Sequence, residues 1–335
     1  MTPILNAPAD GNRNPKMINK MLVFTVVLTG MSLYTYAYKK EPNYLHARLN
    51  GAPTKIIISA KDDDGNSISN ANIKALMGME YRKDSYYIKG QTDHAGEFIL
   101  EGITMGNEIL ITASKDGYYD ARKKLCYTKM GEEYEVKDGK WQPWGMEVSL
   151  PLREKRNPVN LVRMHNFVYI PTTNQWFGFG MKEKDWILDG HKGKIADFEA
   201  KLIWDGKHVS SSQQTDLFIK FVGEGSGYYS VNWTPGSAFG GVYNAETNRL
   251  LQKSFTCMTS KKDGDFSQIG LPKDKIFVAR SRCKYNTNGS IQEANYSIFR
   301  CCITEGNWGG KAGAFFGYDF NPTPNDTNLE PANMP

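Results

Sequence analysis

Apolar and polar residues alternate over short stretches of this chain, and turns rich in Asp, Asn and Gly separate the stretches. Alternation with a period of two places successive side chains on opposite faces of a β-strand. Clear examples are residues 109–113, 146–150 and 198–204, where apolar side chains occupy every second position. We therefore expect an all-β protein, preceded by one N-terminal hydrophobic helix.

The N-terminal hydrophobic segment spans residues 21–38 and contains no charged residue. As a helix it would be about 27 Å long, close to the roughly 30 Å hydrocarbon core of a bilayer. It is either a membrane anchor preceded by a cytoplasmic region of residues 1–20, or a signal peptide cleaved near Ala37. A buried helix of a cytosolic domain is less favoured, because no neighbouring segment offers helical partners. We expect an exported protein that faces the periplasm or the exterior.

Residues 54–152 are predicted to form a first β-domain. Its turns and the apolar positions after them follow a regular order: Asp64, Gly65, Ile68, Asn70, Ala71, Ile73, Thr92, Asp93, Gly96, Phe98, Leu100, Gly102, Ile103, Gly106, Ile109, Gly117 and Tyr118. This order resembles the carboxypeptidase regulatory-like domain family. The resemblance implies a transthyretin-like β-sandwich that serves as a spacer, stalk or interaction surface and has no peptidase activity. An insertion at residues 127–144 departs from the family pattern.

Three consecutive aspartates, Asp62 to Asp64, precede Gly65 in the first turn of this domain. Hard cations prefer several oxygen ligands, so the cluster suggests a calcium loop. An EF-hand loop needs Glu six residues beyond its Gly, and that position is occupied by Ala71. We therefore interpret the cluster as a solvated turn.

A charged segment ending at Pro158 separates the first domain from a second β-rich domain predicted over residues 158–320. We expect its strands at residues 167–170, 175–181, 196–204, 217–222, 276–283 and 294–303. Residues 321–335, with several Pro and Asn, are interpreted as an irregular tail. No enzyme family is recognisable in this second half.

The dipeptide Asn288-Gly289 favours a two-residue type I′ hairpin between the last two predicted strands. In that register Cys283 faces Ala294 and Cys301 faces Ile276. The two cysteines would then lie roughly 24 Å apart along the ladder, well beyond the ~7 Å Cα limit of a disulfide. Pairing among the other cysteines stays open because the count of five is odd.

The composition and net charge exclude two classes of protein and one class of partner. Hydrophobic residues make up 40% and charged residues 23% of the chain, which excludes a disordered or collagen-like protein. The net charge of +5 is modest and spread along the chain, so no nucleic-acid partner is predicted.

Motifs of common enzyme classes do not occur: the sequence has no G-x-S-x-G, H-E-x-x-H, G-x-G-x-x-G or complete P-loop. Its five histidines are scattered and no C-x-x-C occurs, so we predict neither a metal site nor a cofactor. Two carboxylate pairs, Asp185 with Asp189 and Asp197 with Glu199, keep a glycoside hydrolase as the less favoured alternative.

Three tryptophans of the second domain are the candidate ligand-binding residues. If Phe177 points into the core, Trp176 and the glycine after Phe177 point outward and form a flat platform for a sugar face or an apolar patch. Trp186 lies in a short strand, and Trp308 lies in a glycine-rich loop. In the alternative interpretation, each ring caps an edge of the sandwich.

These observations predict a non-catalytic, exported or membrane-anchored envelope or surface protein, in which the first sandwich presents a β-rich binding or assembly domain. The expected partner is a glycan or an envelope protein, with membrane contact through residues 21–38. A glycan-binding module of a carbohydrate-processing system is the sharper alternative.

Overall fold

The computed structural model describes residues 42–78, 85–106, 108–127, 135–204, 213–262, 265–269, 274–302 and 313–332. These residues form twenty strands and one short helix, so the expectation of a nearly all-β protein is confirmed. The hydrophobic segment 21–38 and Trp308 lie outside the described residues. Within the described part, no helix has the length and apolar character needed to cross a bilayer.

Two sheets pack face to face in the N-terminal half. Sheet A has the order β4-β1-β9 and consists of β1 (Ala52–Lys61), β4 (Glu97–Thr104) and β9 (Met146–Pro151), the last parallel to β1. Sheet B has the order β3-β2-β5-β6 and consists of β2 (Asn72–Met77), β3 (Tyr86–Gln91), β5 (Ile109–Ser114) and β6 (Ala121–Leu125). We call this pair of sheets the first sandwich.

The core of the first sandwich follows from the alternation in its strands. Ile56 and Ile58 of sheet A and Ile109 and Ile111 of sheet B are fully buried, while their sequence neighbours face outward or are half-buried. Strand β2 begins at Asn72, just after Asn70, whose positive φ does not fit an extended strand.

Helix α1 (Pro42–Asn50) closes one end of this core. Its Tyr44 packs edge-on against Trp141, with ring centroids 5.8 Å apart. Trp141 belongs to a small hairpin of β7 (Val136–Lys137) and β8 (Lys140–Trp141), and its Nε1 donates to the Thr104 carbonyl at 2.8 Å. The insertion noted at residues 127–144 therefore contributes buried aromatic rings to the core.

Two larger sheets form the second sandwich. Sheet C has the order β10-β20-β19-β18-β15 and consists of β10 (Val162–Tyr169), β15 (Gly227–Asn232), β18 (Lys275–Tyr285), β19 (Ile291–Cys302) and β20 (Gly313–Phe320). Sheet D has the order β12-β11-β13-β14-β16-β17 and consists of β11 (Phe177–Gly180), β12 (Asp185–Trp186), β13 (Phe198–Trp204), β14 (Gln213–Phe221), β16 (Ser254–Lys262) and β17 (Asp265–Ile269).

Aromatic rings fill the space between sheets C and D. Phe179 stacks on Phe198 at 5.2 Å between centroids, and both rings contact Phe316 from sheet C at 5.3 Å. Ala200 and Leu202 are fully buried beside Phe198, as the alternation in β13 predicts. Offset and edge-to-face pairs of this kind stabilise a core beyond their buried area.

Sheet C is buried on its outer face as well. Ile276, Val278 and Ile298 point away from the aromatic core and pack instead against Phe239 and Leu329, which lie in segments outside the strands. Burial on both faces explains the continuous apolar run at the start of β18. Residues 321–330 therefore cover part of this face rather than extending from the domain as a free tail.

The hairpin between β18 and β19 differs from the expected two-residue turn. Asn286 N donates to Ser290 O at 3.0 Å, and Gly289 N donates to Asn286 O at 3.1 Å. The loop therefore has three residues, with Gly289 at a φ of 82° in the left-handed region. Asn-Gly suits this loop as well as a type I′ turn, because both place Gly at positive φ.

A bulge in β18 also changes the expected register. Arg282 and Cys283 together lie opposite Ala294, and Arg282 takes a φ of 54°. Beyond the bulge Phe277 pairs with Phe299, so Cys301 does not face Ile276 as the two-residue turn predicted. Cys283 carries a free thiol.

Candidate functional site

A loop at residues 233–241 lies between the two sandwiches and is held by backbone hydrogen bonds to the first. Arg122 N donates to Gly236 O at 2.6 Å, and Ala238 N donates to Asp120 O at 2.7 Å. Asp120 directly precedes β6, Arg122 is its second residue, and β6 lies at one edge of sheet B. The first sandwich therefore supports this loop directly.

Arg153, just after β9, makes the strongest contact to the same loop. Its Nη1 donates to the carbonyl oxygens of Phe239 and Gly241, and its guanidinium lies 4.8 Å from the Phe239 ring centroid. Its Nε donates to Asp63 Oδ1 at 2.7 Å. Arg153 is only 7% exposed, so this charge depends on its partners to offset the loss of hydration.

The loop forms one wall of a cavity of about 140 Å³ on the outer face of sheet C. The opposite wall comes from strands β10, β19 and β20. The lining residues combine aromatic, charged and glycine positions: Arg163, His165, Trp233, Ala238, Phe239, Gly240, Gly241, Ile298 and Asp319.

Three charged or titratable side chains form the polar wall of the cavity. Arg163 and His165 flank buried Met164 on β10, so strand alternation places both on the outer face. Arg163 pairs across the sheet with Asp319, and its Nε donates to Asp319 Oδ1 at 2.6 Å. His165 Nε2 lies 3.8 Å from the same oxygen.

Asp319 is held as a carboxylate. Burial alone would raise its pKa, but the contact with His165 and the charge of Arg163 outweigh burial and lower the pKa below its ordinary value. The wall thus offers carboxylate oxygens as acceptors, a guanidinium and an imidazole, three groups that can bind hydroxyls in a fixed geometry.

Two glycines make close contacts at the cavity, Gly240 within the loop and Gly241 with sheet C. A Cβ at Gly240 would lie 2.6 Å from the Trp233 ring, and a Cβ at Gly241 would lie 2.5 Å from Ile298 Cδ1. Neither position has room for a side chain. Gly240 therefore lets the loop fold closely onto the Trp233 ring, and Gly241 lets the loop lie against Ile298 of sheet C.

The size of the cavity limits what it can hold. A protein cavity of about 150 Å³ accommodates one benzene ring, so about 140 Å³ suits a single six-membered ring or a group of similar size. Aromatic walls beside a few placed polar groups are typical of small-ligand sites. The arrangement can bind one ring that has both an apolar face and hydroxyl groups.

Comparison with known proteins gives a weak structural likeness only. No protein-family model and no curated protein matches the chain. Part of the chain, 32%, is similar to 61% of 3-chlorocatechol 1,2-dioxygenase from Rhodococcus opacus 1CP, with 12% identity and a TM-score of 0.26. Chlorocatechol 1,2-dioxygenase from Pseudomonas putida matches 31% of the chain over 61% of its own length, with 14% identity and a TM-score of 0.25.

A third similar structure is the dioxygenase domain of a carbohydrate-binding fusion protein from Streptomyces sp. SirexAA-E, with 11% identity and a TM-score of 0.25. The aligned region covers 32% of this chain and 83% of that domain. The chain spans about three-fifths of the length of the first two dioxygenases. A likeness at these scores supports no conclusion about the activity of this chain.

Trp176, the first of the tryptophans expected to bind ligand, lies on the surface. Its ring is 45% exposed, and Lys201 Nζ lies 6.0 Å from the ring centroid. The gap expected beside it is filled, since a Cβ at Gly178 would lie 3.1 Å from Ala196 Cβ and 3.4 Å from Ile187 Cγ1. The flat platform is therefore smaller than the alternation suggested.

Trp186 does not take the surface position expected for it. Its side chain is 2% exposed and packs edge-on against Phe179 at 5.0 Å and Phe316 at 6.1 Å. Its Nε1 donates to the Tyr169 carbonyl at 2.9 Å. A ring buried in this way joins sheets C and D and offers no face to a ligand. The third candidate, Trp308, lies outside the described residues.

Three of the four carboxylates considered for hydrolysis, Asp185, Asp197 and Glu199, contact groups other than the second carboxylate of their pair. Asp185 accepts from Trp186 N and Lys192 N within its own loop and contacts His191 at 2.8 Å. Burial would raise the pKa of Asp185, but these hydrogen bonds lower it. Glu199 lies 3.7 Å from Lys220 on the neighbouring strand.

Asp197 is fully buried in a network that joins sheets C and D. Its two oxygens accept from Nε and Nη2 of Arg282, at 2.9 and 2.8 Å. Ser281 Oγ donates at 2.6 Å and Met181 N at 2.7 Å. All four contacts satisfy the carboxylate, and the bulge at Arg282 aims the guanidinium at it. This group is structural.

The aspartate cluster of the first turn is likewise engaged by the protein. Asp62 Oδ1 accepts from the backbone N of Asp64 and Asn66, at 2.9 and 2.8 Å. Burial would raise the pKa of Asp62, but hydrogen bonds from Asn66 and the neighbouring backbone outweigh burial and lower the pKa. Asp63 instead points to Arg153. The turn is therefore more than a solvated loop, because it contacts the junction of the sandwiches.

Sequence reasoning missed every residue of the cavity. The available signal was Arg163 and His165 at alternate positions around buried Met164, which placed two polar groups on one face of β10. The other residues of the cavity lie far along the chain, about seventy residues later in the loop and about 155 residues later at Asp319. Local alternation cannot show that they meet Arg163 and His165.

Proposed function

We propose that this chain is a non-catalytic, exported binding protein whose cavity on the outer face of sheet C binds one sugar unit of a glycan. The single observation that carries the proposal is the lining of this cavity, which combines Trp233 and Phe239 with the Arg163, His165 and Asp319 cluster. A sugar ring has apolar C–H faces and hydroxyl edges, and this lining complements both.

The first sandwich is proposed to act as an accessory module, as its resemblance to carboxypeptidase regulatory-like domains implies. Its contacts through Arg153 and Arg122 support an additional role in holding the loop at residues 233–241. Export and membrane attachment through residues 21–38 remain part of the proposal and are supported by the sequence of that segment.

Binding is favoured over glycoside hydrolysis by the charges at the cavity. Most glycosidases use two carboxyl groups on either side of the scissile bond, one of them protonated. Among the described lining residues, Asp319 is the one carboxylate, and its pKa is lowered rather than raised. A carboxylate paired with Arg163 is suited to accept hydrogen bonds from hydroxyls and not to donate a proton.

A panel of neutral oligosaccharides tests the proposal. We would immobilise oligomers of glucose, xylose, galactose and N-acetylglucosamine and measure binding of the full chain. Any oligomer that binds would then be titrated by calorimetry against Trp233→Leu and His165→Gln. We expect each variant to bind at least about tenfold more weakly, because each removes a contact worth on the order of 1.4 kcal/mol.

Trp144→Ala is the matched control, because Trp144 is an exposed ring of the first sandwich that does not line the cavity. It should bind like the unaltered chain. Loss of binding in Trp176→Ala with the cavity variants unaffected would move the site to sheet D and contradict the proposal. Failure to bind any member of the panel would also contradict it.

A further inference from the structure

Charge is distributed unequally between the two sheets of the first sandwich. The four strands of sheet B contain five cationic residues and no acidic residue. The three strands of sheet A contain two cationic and three acidic residues. A surface that serves only solubility mixes both signs, so the segregation on sheet B calls for another explanation.

Three of these cations form one row across the outer face of sheet B, which we call the basic row. Lys89 on β3 lies directly opposite Lys74 on β2. Thr112 on β5 follows beside Lys74, and Arg122 on β6 lies opposite Thr112. Adjacent strands are about 4.8 Å apart, so Lys89 and Lys74 are direct neighbours and Arg122 follows two strand spacings, roughly 10 Å, beyond Lys74.

The cations of the basic row lack carboxylate partners in the described part of the chain. Lys74, Lys89 and Arg122 are exposed, and no described Asp or Glu lies within ion-pair distance of any of them. Lys74 Nζ lies instead 4.2 Å over the Tyr87 ring. Like charges directly opposite each other on a sheet are destabilising, so an external anion would relieve this repulsion.

The residues on either side of the basic row differ in chemistry. On one side Gln91 Nε2 donates to Asn72 Oδ1 at 3.0 Å, so an ordered amide pair lies beside Lys89 and Lys74. On the other side Tyr87 is 52% exposed and lies opposite half-buried Leu76. Cations are thus bordered by hydrogen-bonding groups along one edge and by an aromatic and aliphatic strip along the other.

We propose that the basic row binds an acidic polysaccharide. Such a polymer presents repeated anionic groups along a line, together with hydroxyls and apolar ring faces, and the row and its two borders match all three. The arrangement favours this polymer over a nucleic acid, because Lys74 already covers one face of the Tyr87 ring on which a base would stack. It favours a linear polymer over a membrane because the charges lie in one line rather than over a broad area.

The basic row is separate from the cavity on sheet C, so its test does not depend on the sugar site. We would measure binding of the full chain to polygalacturonate and to heparin, with dextran as the neutral polymer, at low and at physiological salt. We expect binding to both acidic polymers, no binding to dextran, and weakening with added salt because exposed charges are screened.

The variant is the triple substitution Lys74→Gln, Lys89→Gln and Arg122→Gln. Its affinity for polygalacturonate should fall at least about tenfold, because neutralising several cations removes most of the electrostatic attraction. The matched control removes the same charge from the second sandwich through Lys182→Gln, Lys192→Gln and Lys194→Gln, which are all exposed. The control should bind like the unaltered chain. Circular dichroism and melting confirm that both variants are folded.

Three results would overturn the proposal. The first is equal binding by the two triple variants, which would show that only net charge matters. The second is binding to vesicles of anionic phospholipid but not to either acidic polymer, which would assign the row to a membrane surface. The third is tighter binding to single-stranded DNA than to both polymers. Cavity variants such as Trp233→Leu should leave polygalacturonate binding unchanged, so this proposal and the sugar-binding proposal fail separately.

Discussion

Asp63 and Arg153 form an ion pair, with Nε and Oδ1 2.7 Å apart, and thereby connect the first turn of the first sandwich to the wall of the cavity. The same guanidinium donates to the carbonyls of Phe239 and Gly241. It also lies 4.6 Å from the Tyr243 ring centroid. This buried side chain therefore helps to hold the loop at residues 233–241 against the first sandwich.

Replacing Arg153 by Leu should destabilise the protein by about 3 kcal/mol, because Asp63 and two carbonyls would lose a buried charged partner. Amide exchange in residues 233–241 should also become faster, since the loop loses its main contact with the first sandwich. Urea denaturation and hydrogen exchange measure the two effects.

The control for this prediction is Arg249→Leu, which removes an exposed pair with Glu246 and should leave the free energy of unfolding almost unchanged, because exposed ion pairs contribute little. Equal melting temperatures for the two variants, with unchanged exchange in residues 233–241, would show that Arg153 does not hold the loop.

Alternation alone predicts much of the fold but not the site. The inward positions of β13, such as Phe198 and Leu202, follow from the period of two, because apolar residues occupy every second position of this one strand. Strands β15 and β20 were not predicted, because glycines and polar residues interrupt their patterns. Asp197 enters the less favoured hydrolase alternative because its partner, Arg282, lies 85 residues away and leaves no signal in the local sequence.

The cavity could not be predicted for the same reason. Arg163 and Asp319 lie 156 residues apart, and only the pairing of β10 with β20 brings them together. The loop that completes the cavity depends on Arg153 from a different sandwich. Local pattern specifies which face a side chain occupies, whereas contacts between distant segments decide which faces meet.

Asp197→Asn should be strongly destabilising. The substitution removes the nearer of two carboxylates from Arg282, which keeps Glu183 Oε2 at 3.3 Å, and it weakens the hydrogen bonds from Ser281 and Met181, for a cost of about 3 kcal/mol. Glu199→Gln, two residues further along, affects a surface pair and should cost less than about 1 kcal/mol. Chemical denaturation of both variants measures the difference. Similar stabilities would show that the network contributes little to holding sheets C and D together.

The three-residue hairpin loop predicts how substitutions at Gly289 rank in stability. An Ala at this position would meet no neighbouring atom but would be forced to a φ of 82°, at a cost of about 1–2 kcal/mol. Asn tolerates the left-handed region better, so Gly289→Asn should recover part of that loss. Thermal melting ranks the three proteins. If Ala proved as stable as Gly, the loop geometry described for residues 287–289 would be wrong.

Trp186 and Trp176 should respond differently to truncation. Trp186→Ala removes a fully packed ring and its hydrogen bond to Tyr169, and should cost about 3–5 kcal/mol. Trp176→Ala removes an exposed ring with one weak cation contact and should cost less than about 1 kcal/mol. Urea denaturation measures both changes. A large loss at Trp176 would show that its ring is packed rather than available to a ligand.

The Arg163–Asp319 pair should make stability depend on pH in the acid range. The folded protein lowers the pKa of Asp319, so the pair contributes its full stability above the ordinary Asp pKa of about 3.9. That stability is lost as pH falls through the lower folded value.

Asp319→Asn should therefore cost on the order of 2 kcal/mol at pH 7, where the unaltered protein has the ionised pair. The stabilities of the two proteins should converge as pH falls through the lowered pKa of Asp319, because the carboxyl is then protonated in both the folded and the unfolded protein. Denaturation from pH 2 to pH 8 measures the difference, with Asp189→Asn as the exposed control, which should change stability by less than about 0.5 kcal/mol at pH 7. A difference at Asp319 that stayed constant across the range would show that its contribution comes from packing and not from the carboxylate charge.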